Sequence, residues 1–196
     1  MEDWVFRAMA RWPDVPALFG WLALDRRGRW RIKGELIQRP QVIDTINANY
    51  AADADGRWFF QNGPQRGYVA LAYTPLVLQF DTDGRLWTHT GLPVTSPEAA
   101  YMDEDGAITL VSEHGPGVVR DDDLPQMLER LRGPTGPADE AALMTALDAS
   151  SGLTTALTVA LGPIELPVVR LDAAELPRVT GFVREPRPKQ GEKHSW

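Results

Sequence analysis

The chain has no cysteine among its 196 residues. That excludes disulfides, thiolate metal sites and a cysteine nucleophile, and it fits a reducing cytoplasm, the location expected here. Lysine is nearly as scarce. Three lysines stand beside 17 arginines in a chain with much Ala, Gly and Pro, which reads as a GC-rich bacterial coding bias. Net charge is −7, so the broad basic face that nucleic acid or anionic lipid requires is missing. No apolar run reaches the roughly 18 residues of a membrane-spanning helix, and the start, Met1-Glu2-Asp3-Trp4, is acidic where a secretory signal would be basic and then apolar. Neither nucleic acid nor membrane is therefore expected as a partner. No phosphate loop, dinucleotide fingerprint or paired-histidine metal spacing occurs. The expectation is no cofactor, no metal and no catalytic residues.

What the chain has is a repeated turn. Asp25-Arg26-Arg27-Gly28, Asp53-Ala54-Asp55-Gly56, Asp81-Thr82-Asp83-Gly84 and Asp103-Glu104-Asp105-Gly106 each lie between apolar or alternating stretches. Asp opens a type I turn and Gly supplies the positive φ that closes it, so each copy announces a β-hairpin. A calcium loop is the competing reading of Asp-x-Asp-Gly. It fails because its twelfth position needs a carboxylate, and counting from Asp53 and Asp81 gives Pro64 and Leu92. A closed propeller fails too, since the glycines are 28, 28 and 22 residues apart with a helix between the first two copies.

Helices are few. Trp4, Val5, Ala8, Met9 and Trp12 have helical spacing, as do Val42, Ile43, Ile46 and Tyr50 behind Pro40. Asp121 to Leu131 reads as a helix with its acids at the start, and Ala138 to Ala149 as another. His114-Gly115-Pro116-Gly117 reads as a break and Gly133 to Pro137 as a loop or linker. Strands are expected over Leu153 to Leu161, Leu166 to Leu171 and Leu176 to Val183. The fold class is α+β, with repeated β-hairpins forming antiparallel meander sheets and a few packed helices. The expected organisation is a hairpin-rich domain with an internal repeat over 1–115, a smaller α/β region over 116–183, and a disordered tail over 184–196.

Candidate contact residues cluster on one hairpin. Gln61, Asn62, Gln65, Arg66 and Tyr68 follow Trp58-Phe59-Phe60, and Trp, Tyr and Arg are what binding hot spots use. Burial of the aromatics in a core is the competing reading. The histidines, His89, His114 and His194, form no catalytic constellation, because the neighbours in Ser112-Glu113-His114 point to opposite sides of a strand.

The order of Asp25-Arg26-Arg27-Gly28-Arg29-Trp30, Arg39-Pro40 with its helix, and Tyr73-Thr74-Pro75-Leu76-Val77 resembles proteobacterial proteins of an uncharacterised, domain-of-unknown-function type. The resemblance spans about 70 residues in the first half of the chain and implies repeats of a small strand–turn–strand–helix unit, with a role in signalling or regulation. The leading expectation is a cytoplasmic, non-enzymatic binding or regulatory module with a protein partner. The alternative is an enzyme or small-ligand protein whose site is assembled from dispersed polar residues. The turn chemistry predicts that millimolar calcium leaves the melting temperature unchanged; a rise reversed by a chelator would overturn this.

Overall fold

The computed structural model describes residues 15–195 together with Arg7. The first expected helix, through Trp4 and Trp12, lies outside the described residues. Among the described residues there are sixteen strands, four α-helices and one 3-10 turn, and the protein is α+β. The chain divides into two compact units, one made of residues 1–75 and 181–196, the other of residues 76–180.

In the first unit, β1 (Ala17–Leu24) turns at Asp25 into β2 (Trp30–Ile32) and β3 (Glu35–Leu36). Helix α1 (Pro40–Ala48) leads to β4 (Tyr50–Ala52), β5 (Trp58–Asn62) and β6 (Gln65–Leu71). The sheet order is β3-β2-β1-β6-β5-β4, with β1 and β6 parallel. A parallel return needs a crossover, and the segment carrying α1 supplies it. Pro40 opens α1 where its missing N–H costs nothing. Ile46 is its buried anchor at 2% exposure, whereas Val42 is 41% exposed.

In the second unit, β7 (Leu76–Phe80) and β8 (Leu86–Thr88) form the third hairpin. Strands β9 (Ala99–Met102), β10 (Ile108–Ser112) and β11 (Gly115–Val119) follow as a meander. A 3-10 turn (Asp121–Asp123) and α2 (Leu124–Leu128) precede the short pair β12 (Leu131–Gly133) and β13 (Gly136–Pro137). Helix α3 (Glu140–Leu147), strands β14 (Thr154–Leu161) and β15 (Ile164–Arg170), and α4 (Leu176–Thr180) complete it. The order is β13-β12-β14-β15-β9-β10-β11-β7-β8. The two sheets share a path: β2-β1-β6-β5-β4 in one and β8-β7-β11-β10-β9 in the other, each closed by a parallel pair between its first and last strands.

All four Asp-x-x-Gly turns adopt one geometry. Each Asp Oδ1 accepts the backbone N–H groups two and four residues on, at 2.8–3.0 Å. The glycines lie at φ +76, +74, +74 and +80°, a region that side chains with a Cβ avoid.

Several expectations differ from the structure. His114-Gly115-Pro116-Gly117 is no break: Ser112 pairs with Gly115, and β10 and β11 continue as buried neighbours. The boundary expected at residue 115 thus falls inside a hairpin, and the compact units divide elsewhere. Gly117 suits a strand here because a Cβ would lie 2.8 Å from the Leu78 side chain. The helix expected to reach Leu131 ends at Leu128, since Leu131 is drawn into the sheet opposite Val159 at 0% exposure. The loop over Gly133 to Pro137 is the β12–β13 hairpin. Leu176 to Thr180 is a helix rather than a strand, with Pro177 in its first turn and Leu176 buried. Within 184–196, where a disordered tail is expected from the sequence, β16 (His194–Ser195) pairs parallel with Ala17 and Leu18 of β1.

Replacing Ile46 by Ala lowers unfolding free energy by about 2–5 kcal/mol, whereas Val42→Ala stays within about 0.5 kcal/mol. Urea unfolding of both variants checks this, and equal effects would mean that α1 packs through a different face.

Candidate functional site

The sheet of the first unit carries a polar cluster on one face, built around Arg57. Strand alternation puts Phe59 opposite Tyr68 and Gln61 opposite Arg66 on that face. Phe19 of β1 stacks on Tyr68 with ring centroids 4.6 Å apart, and Phe59 meets Tyr68 edge-on at 5.8 Å. An arginine flanks each end of this aromatic row. Arg57 lies 4.4 Å from the Tyr68 ring centre and Arg66 lies 4.4 Å from that of Phe59, distances at which a cation is held by a ring face.

Arg57 immediately follows the second Asp turn. Its Nε donates to Asp53 Oδ2 at 2.8 Å and its Nη2 to the Tyr68 hydroxyl at 2.9 Å, which in turn donates to Asp53 Oδ2 at 3.1 Å. Its Nη1 donates to Glu192 Oε2 at 2.8 Å and to the Arg187 carbonyl at 3.1 Å. The C-terminal segment is thus fastened to this face. Ala17 N–H donates to the Lys193 carbonyl, Lys189 pairs with Asp55, and His194 sets its ring edge toward Phe19 at 6.2 Å. A cleft of about 350 Å³ opens beside Tyr68, lined by Gly20, Ala70, Glu185, Pro186 and Arg187.

Burial works against the charges and the hydrogen bonds overcome it. Burial alone would raise the Asp53 carboxyl, but the N–H groups of Arg57 and Asp55, then the Arg57 and Tyr68 side chains, hold it below its ordinary value. Glu192 is likewise pushed up by burial and brought lower by Arg57 and the Lys189 N–H. Burial would lower Arg57; Glu192 and Asp53 instead hold its pKa above the ordinary arginine value. Burial raises the Tyr68 hydroxyl, and the neighbouring Arg66 and Arg57 do not cancel that.

The candidate residues separate into two sets. Gln61, Arg66 and Tyr68 share the face described, with Gln61 and Tyr68 buried and Arg66 Nε donating to Gln61 Oε1 at 3.1 Å. Asn62 and Gln65 oppose each other on the other face, and Gln65 Nε2 donates to the Pro16 carbonyl. Sequence reading missed Arg57, Asp53 and Glu192. A weak signal existed, because Arg57 stands four residues after its turn aspartate just as Arg29 does after Asp25. The histidines do not converge: His89 Nδ1 accepts the Val77 N–H, the His114 ring contacts the Pro93 carbonyl, and His194 lies on the segment above. Among the described residues no group of three or more His, Asp or Glu could hold a metal ion, and no helix is long and apolar enough to cross a membrane.

Comparison with known proteins adds a family. The family DUF2944, described as "Protein of unknown function (DUF2946)", matches residues 1–187. The chain belongs to this family. No curated protein matches. Among solved structures, this chain is similar to a DUF1285 family protein from Silicibacter pomeroyi DSS-3. That likeness has 13% identity and a TM-score of 0.52, covering 79% of this chain and 82% of that one. A DUF1285 family protein from Shewanella baltica OS155 matches at 14% identity and TM-score 0.41, over 58% of this chain and 91% of that one. The first likeness shows a shared fold for this DUF2946 chain.

The lowered carboxyls set a pH dependence. A group whose pKa falls on folding contributes stability above its unfolded value, and that contribution is lost as pH drops through the folded value. The melting-temperature gap between wild type and Glu192→Gln should therefore be widest above the ordinary glutamate value of 4.5 and close on acidification below it. A gap that does not change with pH would show that Glu192 contributes nothing through its charge.

Proposed function

We propose that this protein is a non-enzymatic binding and regulatory module in the cytoplasm, acting on a protein partner through the aromatic and arginine face of its first unit. The observation that carries this reading is the Arg57–Glu192 contact at 2.8 Å. The C-terminal segment already lies against the face: it turns over residues 189–192, adds two residues in parallel to β1, and delivers a carboxylate to a guanidinium that is 9% exposed. Strand addition gives affinity through the main chain, and the charged anchor gives selectivity. A partner segment of the same chemistry, with a carboxylate at the Glu192 position on a turn that leads into a short strand, uses these contacts when residues 187–195 leave. Arg66, on the same face, supplies an outer contact at the hairpin. Regulation follows from competition between the resident segment and the partner.

The shared strand path supports reading the two five-strand arrangements as copies of one unit. The signalling role implied by the resemblance belongs to the same proposal, and the cytoplasmic setting rests on the sequence reading alone.

The test is a fluorescein-labelled peptide of residues 186–196 titrated into the full chain and followed by polarisation. Glu192→Gln protein, whose own segment is held less firmly, should bind the peptide about tenfold more tightly than wild type. A peptide carrying the same Glu-to-Gln change should bind about tenfold more weakly. No polarisation change with either protein, or equal binding of both peptides, overturns the reading.

A further inference from the structure

The second unit holds a cleft of about 310 Å³, whose walls include Phe80, Leu86, Trp87, Val94, Leu161 and Ile164. These residues come from the third Asp-turn hairpin, the loop after it, and the β14–β15 turn. The lining is apolar except at a few points, and those points differ in what they have to spend. Thr95 gives both its N–H and its hydroxyl to Glu113, at 2.7 and 2.8 Å. Arg85 is paired with Asp83 at 2.7 Å and points to solvent, with a side chain 68% exposed. Trp87 Nε1 donates to Asp81 Oδ2 at 2.9 Å.

Arg130 is different. Its Nη1 donates to the Gln126 carbonyl at 2.7 Å and its Nη2 to the Gly84 carbonyl at 3.1 Å, while its guanidinium lies 4.2 Å from the Phe80 ring centre. Two carbonyls and a ring face orient the group but do not neutralise it. Among the described residues no Asp or Glu pairs with Arg130, whereas Arg85, the other arginine lining the cleft, has Asp83 as its partner. A guanidinium has five N–H donors, and the two carbonyls use only two of them. An oriented cation with donors to spare therefore lines an apolar cleft of ligand size.

We propose that this cleft binds an amphipathic carboxylate of medium chain length. The carboxylate sits on the free N–H groups of Arg130, and the hydrocarbon lies along Phe80, Leu86, Trp87, Val94, Leu161 and Ile164. A carboxylate fits better than a phosphate ester because one guanidinium balances one negative charge, and the second cation at the cleft, Arg85, is already committed to Asp83. The apolar walls select against small hydrophilic acids, which would give up hydration without a hydrophobic return. This site is separate from the Arg57 face and does not depend on the function proposed there.

The test titrates sodium decanoate, kept below its micelle concentration, into the full chain by isothermal titration calorimetry, with 1-decanol as the uncharged control. Decanoate should bind saturably at one site and about tenfold more tightly than decanol. Arg130→Gln should remove that preference, and Ile164→Trp, which fills the cleft from a partly exposed position, should abolish binding of both probes. Circular dichroism checks that each variant is folded. If Arg130→Gln does not fold, Ile164→Trp decides alone. The proposal is overturned by no saturable decanoate binding to wild type, by equal binding of decanoate and decanol, or by undiminished decanoate binding in a folded Arg130→Gln or Ile164→Trp protein.

Discussion

A carboxylate oxygen that accepts two backbone N–H groups from its own turn is the interaction on which both sheets depend. In each of the four turns the Asp side chain takes the place of a missing backbone partner, the glycine reverses the chain, and the following strand leaves in a defined register. Because Oδ1 is spent inside the turn, only Oδ2 is left to meet the rest of the protein. What it meets differs from copy to copy: Arg29 after Asp25, Arg57 and Tyr68 after Asp53, and the Trp87 indole after Asp81. One local device thus builds four hairpins, and in three of them the second carboxylate oxygen meets a different set of partners.

The second copy is where that valence has consequences. Arg29 and Arg57 make the same contact to their turn aspartates at 2.8 Å, but the Arg29 side chain is 46% exposed and that of Arg57 9%. An exposed arginine is served by water. A buried one must find anions and acceptors within the protein, because an unpaired buried charge is strongly destabilising. Asp53 alone leaves donors of Arg57 unused, and Glu192 with the Arg187 carbonyl takes them. The C-terminal segment, poor in apolar residues, is therefore held chiefly by polar contacts and a two-residue strand.

The second unit uses the same strand path for a different end. Its sheet is extended by β15, β14, β12 and β13 beyond β9, and its core gathers Leu78, Met102, Ile108, Leu110, Met127, Leu131, Leu157 and Val159 between sheet and helices. Close packing there explains both the bare strand position at Gly117 and the early end of α2, since Leu131 gains more as a buried strand residue than as another turn of helix. The Asp81 hairpin of this unit lines an apolar cleft that also includes Arg130, rather than holding a docked segment.

Local chemistry was sufficient for much of this. Asp at the head of a turn and Gly at its end act over four residues, so all four hairpins were legible, as were α1 behind Pro40 and the helix that became α3. The α+β class followed from the clustering of strands. Long-range pairing was not legible. Nothing within a few residues of Gly115 tells a chain break from a buried strand, and Leu176 to Val183 has apolar content that suits either a strand or a one-turn helix. On the Gln61 to Tyr68 hairpin, alternation alone could say which residues share a face, but only the sheet order shows that Gln61 and Tyr68 are covered by neighbours. The same holds for the sites. Arg57 and Glu192 are 135 residues apart in sequence, and Arg130 is 46 residues from the Gly84 carbonyl it contacts. Turn geometry is set by neighbours along the chain and can be read from them. Burial, charge pairing and cleft formation are set by neighbours in space, and those only tertiary packing brings together.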